Sequence, residues 1–127
     1  MNPNDNIYRQ ELMDIYKNPV HKGALSDPSA ISHKKNPMCG DEMDLYLKIE
    51  DGVIKDASYT ESACVVSVIA SEILLEKVIG KKVEAINKMT KDEFLTDLGL
   101  NLSTSRVKCA MLVFEAVKEA LEKYAGK

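Results

Sequence analysis

Asp44-Leu45-Tyr46-Leu47-Lys48-Ile49-Glu50-Asp51-Gly52-Val53-Ile54-Lys55-Asp56-Ala57-Ser58-Tyr59 reads as a β-hairpin. Leu45, Leu47 and Ile49 alternate with Tyr46 and Lys48, the period-two pattern of a strand with one buried face. Asp51-Gly52 supplies the centre of a type I′ turn, where both residues need positive φ. The return strand, Val53 to Tyr59, breaks the alternation, since Ile54 fits one face and Ala57 and Tyr59 fit the other. A β-bulge near Asp56 reconciles them.

What flanks the hairpin is chemically distinctive. Before it stands Cys39-Gly40-Asp41, a thiol and a carboxylate two residues apart, roughly 6–7 Å if extended, with a glycine that makes bending the pair onto one metal easy. After it stands Cys64, opening the most apolar stretch of the chain, Val65 to Ile79. The length of that stretch and the interruptions at Glu72, Glu76 and Lys77 predict a buried helix ending at Gly80, in spite of its β-branched residues. The thiol of Cys64 then sits at the helix N-terminus, where free N–H groups favour a thiolate. Ser67 and Ser71, inside this helix, are expected to bond back to its carbonyls.

Farther out, Ile7 to Tyr16 has the spacing of an amphipathic helix capped by Asp5 or Asn6 and ended by Asn18-Pro19, with Tyr8 and Tyr16 as packing residues. Ser29 to Asn36 has room for one short edge strand; His21 and His33 fall in this polar region and are expected to be solvated rather than ligands. Lys82 to Lys88 reads as a short amphipathic piece, and Thr90-Lys91-Asp92-Glu93 as a capping box for a helix that Gly99 stops. Thr104 or Ser105 is expected to cap the last helix, whose core stripe is Val107, Met111, Phe114, Val117, Leu121 and Tyr124, with Cys109 in its first turn or just after.

Composition narrows the classes. The chain has 127 residues, 45% of them hydrophobic, which suits a single domain over 1–127 with a flexible start at about 1–6. A net charge of −3 excludes the basic stripe of a dedicated nucleic-acid binder. No apolar run reaches the roughly 20 residues of a membrane span, and the polar start, Met1-Asn2-Pro3-Asn4-Asp5-Asn6, is not a signal peptide, so a cytoplasmic location is expected. Three cysteines in a reducing compartment point to metal or sulfur chemistry rather than disulfides.

The chain resembles the IscU/SufU/NifU-N-terminal family of iron-sulfur cluster assembly scaffolds over nearly its whole length. The resemblance lies in Tyr16-Lys17-Asn18-Pro19, Asn36-Pro37-Met38-Cys39-Gly40-Asp41, the hairpin with Asp51-Gly52, Ala63-Cys64-Val65-Val66-Ser67 with Ala70-Ser71, Gly80-Lys81, and Arg106-Val107-Lys108-Cys109-Ala110. It implies an α+β fold, a three-stranded antiparallel β-sheet packed against four to five α-helices, in agreement with the elements read above. It further implies that Cys39, Asp41, Cys64 and Cys109 hold a transient 2Fe-2S cluster, iron, or in the cluster-free form zinc. A cysteine desulfurase is then the sulfur donor, Cys109 or Cys39 the persulfide acceptor, and apo iron-sulfur proteins the recipients. Such a protein is a scaffold rather than an enzyme, and a monomer or a homodimer.

Three positions depart from the family pattern. Lys108 stands where the IscU branch has histidine; lysine there is similar to the SufU branch of zinc-dependent sulfur carriers, but the insertion usual in that branch between the second and third cysteines is missing. Lys108 is otherwise read as a solvated surface lysine. Leu102-Ser103-Thr104-Ser105-Arg106 replaces a Leu-Pro-Pro-Val-Lys chaperone handle, which counts against an Hsp70-type partner. Ala63 replaces the glycine usual before the second cysteine. A labile-cluster scaffold and a zinc-dependent sulfurtransferase use the same four ligands.

Overall fold

The computed structural model describes residues 10–36, 40–62, 64–99 and 104–125, with side chains from residue 12 and, in the last segment, from residue 107. Among these residues the chain runs α1 (Gln10–Lys17), β1 (Ala30–Asn36), β2 (Asp41–Glu50), β3 (Val53–Ser62), α2 (Val65–Val78), α3 (Val83–Asn87), α4 (Lys91–Leu98) and α5 (Thr104–Ala125). The strands form one antiparallel sheet in the order β1-β2-β3, and the helices complete the α+β fold that the sequence predicts.

The hairpin sets the register. Asp51 and Gly52 both have positive φ, 54° and 74°, as a type I′ turn demands. Ile49 pairs with Ile54 and Lys48 with Asp56, so Lys55 is the extra residue of a bulge one position from the predicted one. The bulge resets the alternation and turns Ile54, Ala57 and Tyr59 to the same buried face.

β2 begins three residues earlier than its hydrophobic pattern suggested, and this decides where the site lies. From Asp41 to Ile49 every second residue is buried: Asp41, Met43, Leu45, Leu47 and Ile49. Asp41 therefore shares the inward face of the strand with four apolar residues. That face meets α5, which packs on β1 and β2, and α5 in turn meets α2. With β3, α5, α1 and α4 all against it, α2 is buried on nearly every side, which is why its sequence is apolar all round.

The outer edge of β3 is covered by two passing segments. Gly23 N–H donates to the Tyr59 carbonyl at 2.7 Å and Tyr59 N–H to the His21 carbonyl at 3.1 Å. Near the turn, Gly80 N–H donates to the Ile54 carbonyl and Ile54 N–H to that of Lys81. Such straps remove the row of open donors and acceptors that an edge strand presents.

The predicted capping box is present: Thr90 Oγ1 accepts from Glu93 N–H, the Glu93 carboxylate accepts from Thr90 N–H, and Gly99 ends α4 at φ 67°. Lys118 donates to the carbonyls of Ile86 and Asn87 at the end of α3, both at 2.8 Å, and lies over the Phe114 ring. Burial holds its ammonium below the ordinary lysine range.

Three expectations need correction. Tyr16 is 38% exposed and is not a core packing residue. α5 already includes Thr104 and Ser105, so neither lies ahead of it as a cap. Cys109, its sixth residue, lies just after the first turn, as expected. His21 is not solvated, because its ring is packed against α2 and bonded to Glu76 at 2.7 Å. Asp5, Asn6 and Tyr8 lie outside the described residues.

Candidate metal centre

Three elements converge at the open end of the hairpin. Asp41 is the first residue of β2, Cys64 is the N-cap of α2, and Cys109 lies in the second turn of α5. Strand alternation turns the Asp41 carboxylate inward, the chain re-enters beside it at Cys64, and α5 crosses the same face of the sheet. The result is a cluster of two thiols and one carboxylate whose ligand atoms all lie within 4.8 Å of one another. Asp41 and Cys109 are each 6% exposed, and Cys64 is half-buried.

Cys39 lies outside the described residues. The residues that bracket it are set close: Asn36 and Asp41 are register partners, and Gly40 N–H donates to the Asn36 carbonyl at 2.8 Å. Lys108, next to Cys109, is on the exposed side of α5.

Beneath the three candidate ligands lies Ser67, 1% exposed, which the sequence reading assigned to a helix carbonyl. Ser71 does bond that way, donating to the Ser67 carbonyl at 2.7 Å. Ser67 points elsewhere: its Oγ is 2.8 Å from Asp41 Oδ2, 3.0 Å from the Cys109 carbonyl oxygen and 3.7 Å from Cys64 Sγ. One hydroxyl thus touches all three residues of the cluster. The available signal was the pair Ser67 and Ser71 in an otherwise apolar run, one turn apart on one face, because a buried hydroxyl must find a partner. It could not say which partner.

The donor set fits a thiophilic metal. Around a tetrahedral zinc, with Zn–S about 2.3 Å and Zn–O about 2.1 Å, ligand atoms stand roughly 3.5–3.8 Å apart, so a contraction of about 1 Å closes this cluster on one ion. Iron-sulfur clusters take the same thiolates. The carboxylate is the harder and weaker ligand.

The comparisons with known proteins agree with this geometry. The family profile described as the NifU-like N terminal domain matches residues 7–127. The chain belongs to that family. It is 36% identical to the iron-sulfur cluster assembly scaffold protein IscU of Thermotoga maritima, over 92% of this chain and 94% of that protein. It is 31% identical to the zinc-dependent sulfurtransferase SufU of Bacillus subtilis, over 96% and 94%. The fold is that of a NifU-like N-terminal protein from Brucella abortus, with a TM-score of 0.80 at 20% identity and 96% of each chain covered. As the sequence led us to expect, relatives of both the scaffold and the sulfurtransferase kind are present.

The buried acid Glu72, read from sequence as a mere interruption, is the other feature that was missed. Its carboxylate accepts Val20 N–H at 2.8 Å, His21 N–H at 3.1 Å and the Tyr59 hydroxyl at 2.7 Å. It ties the strap over β3 to α2, two turns beyond Cys64. Burial, and then the bond to Glu72, push the Tyr59 phenol well above its usual range.

No helix among the described residues is long and apolar enough to cross a membrane.

Proposed function

We propose that the chain is a cytoplasmic scaffold on which iron and sulfur from a cysteine desulfurase are assembled into a labile 2Fe-2S cluster that is passed to apo iron-sulfur proteins. The observation that carries this reading is the convergence of Asp41, Cys64 and Cys109 within 4.8 Å. Cys39, two residues from Asp41, is the fourth ligand. The chain acts as a binding protein rather than an enzyme, and the cluster is its cargo.

Each residue type has a task in this reading. The thiolates of Cys39, Cys64 and Cys109 match the softness of iron and sulfide, while the oxygen of Asp41 supplies a weaker position from which an acceptor can begin to take the cluster. Sulfur arrives when the thiolate of Cys109 or Cys39 attacks the terminal sulfur of a desulfurase persulfide. The new S–S bond forms on the scaffold, and the desulfurase thiolate leaves.

A second reading has support in the relative named as a zinc-dependent sulfurtransferase and in Lys108, which resembles that branch. One experiment separates the two: anaerobic reconstitution with iron, sulfide and a cysteine desulfurase, with iron, zinc and labile sulfide measured per chain. The scaffold gives stoichiometric iron and sulfide with thiolate-to-iron absorption, lost in the Cys39, Cys64 and Cys109 alanine variants and prolonged in Asp41→Ala. Zinc that iron does not displace, with faster desulfurase turnover, selects the sulfurtransferase.

A further inference from the structure

We propose that Ser67 is a positioning residue that holds the Asp41 carboxylate toward Cys64 and Cys109, and so sets the strength and lifetime of the oxygen ligand. This rests on the reading of Asp41, Cys64 and Cys109 as a metal-binding set.

Ser67 is the third residue of α2, and Cys64, the cap of that helix, is three positions before it. Residues three apart on a helix share a face, so the serine hydroxyl comes under the thiol. From the sheet side, Asp41 and Met43 point inward two residues apart, while Ser67 and Ser71 point at them one helical turn apart. The two repeats, roughly 6.8 Å along a strand and 6 Å along a helix, nearly match. That match places Ser67 opposite Asp41 and Ser71 opposite Met43.

The hydroxyl has one proton and two oxygen acceptors in reach, Asp41 Oδ2 at 2.8 Å and the Cys109 carbonyl at 3.0 Å. The shorter contact, to a carboxylate, is the stronger hydrogen bond. Donating to Oδ2, Ser67 fixes the direction in which the carboxylate is presented to Cys64 and Cys109. When the carboxylate lets go, the hydroxyl can turn to the Cys109 carbonyl without being stranded. Ser67 thus supports the ligand while it is bound and keeps a partner when it leaves. Ligating carboxylates depend on such outer partners, whose loss typically weakens metal binding about 10- to 100-fold.

The test is anaerobic cobalt(II) titration of the apo protein, reading thiolate-to-cobalt absorption, affinity and the rate of release to a chelator, in wild type, S67A, D41A and the double variant. Apo stability of each is checked by circular dichroism. We expect S67A to bind cobalt about 10- to 100-fold more weakly than wild type. In the D41A background the same change should have an effect below about threefold, because its target is gone. S67T, which keeps the hydroxyl, should restore most of the loss. Equal effects of S67A in both backgrounds, no effect in either, or no rescue by S67T overturns the inference while leaving the ligand assignment in place. Wild-type cobalt spectra and affinity in both D41A and a Cys64→Ala variant overturn the ligand assignment itself, and the inference with it.

Discussion

Replacing Glu72 by alanine removes an acceptor that three donors share. The Tyr59 hydroxyl is fully buried and donates to Glu72, so stranding it costs about 1–3 kcal/mol. Val20 N–H and His21 N–H belong to a partly exposed strap and regain water, so each loses only the net value of one hydrogen bond, about 0.5–1.5 kcal/mol. Together these terms come to about 2–6 kcal/mol, and each kcal/mol lowers Tm by roughly 3–5 °C for a chain of this size. E72Q should lose less, because its amide oxygen still accepts from the backbone pair and its amide N–H can donate to the phenol oxygen, leaving only the phenol proton without an acceptor. Urea denaturation followed by circular dichroism measures the global loss, and amide exchange at Gly23 and Tyr59 reports the strap, whose two bonds should open first. A loss below about 1 kcal/mol, or unchanged protection of both amides, refutes the idea that this carboxylate fastens the strap to α2.

Tyr59→Phe tests the same network by pH. The folded phenol titrates above its ordinary value, so unfolding releases a proton above about pH 10 and stability falls there by about 1.4 kcal/mol per pH unit; the phenylalanine variant should be less stable at neutral pH but should lose that limb, and an unchanged alkaline slope in urea titrations refutes it. Leu45→Ala, at a fully buried position on the inward face of β2, should cost about 2–5 kcal/mol by chemical denaturation, and a cost near zero would mean that α5 does not pack there. Thr90→Ala should remove about 1 kcal/mol through the lost capping box, with its effect on exchange confined to the first turn of α4.

How far the sequence could be read depended on whether a feature was local. The Asp51-Gly52 turn, the bulge that follows it, the Thr90 capping box and the helix over the apolar run after Cys64 are each fixed by residues a few positions apart, and each is present. The start of β2 was not legible, because Asp41 and Glu42 carry no strand preference; they are strand because Asn36 and Ser62 pair with them from either side. For the same reason the depth of Asp41 was invisible, since it follows from the parity of that strand and the helix laid over it. The oxygen partners of Ser67 lie 26 and 42 residues away and those that bond Glu72 lie 13 to 52 away, beyond any pattern in a short window. Cys64 and Cys109 could be singled out as thiols, but only the crossing of α5 over the sheet brings them together.

Asp41 and Glu72 make the last point together. Each is a carboxylate 6% exposed, one facing inward from the first residue of a strand and the other from the middle of a helix. A buried carboxylate has to be matched by donors or by a cation. Glu72 is surrounded by backbone N–H groups and a phenol, which hydrogen-bond it without offering anything a metal would take, and its consequence is a fastened strap. Asp41 has among its neighbours two thiols and a hydroxyl that touches both of their residues. Two thiols beside a carboxylate are a donor set that a thiophilic metal would share, so in the proposed reading the kind of side chain that α2 uses for structure becomes, at the open end of β2, one corner of a binding site. In that reading the site draws on a strand and two helices, so an ion or cluster held there would tie the sheet to the helix layer.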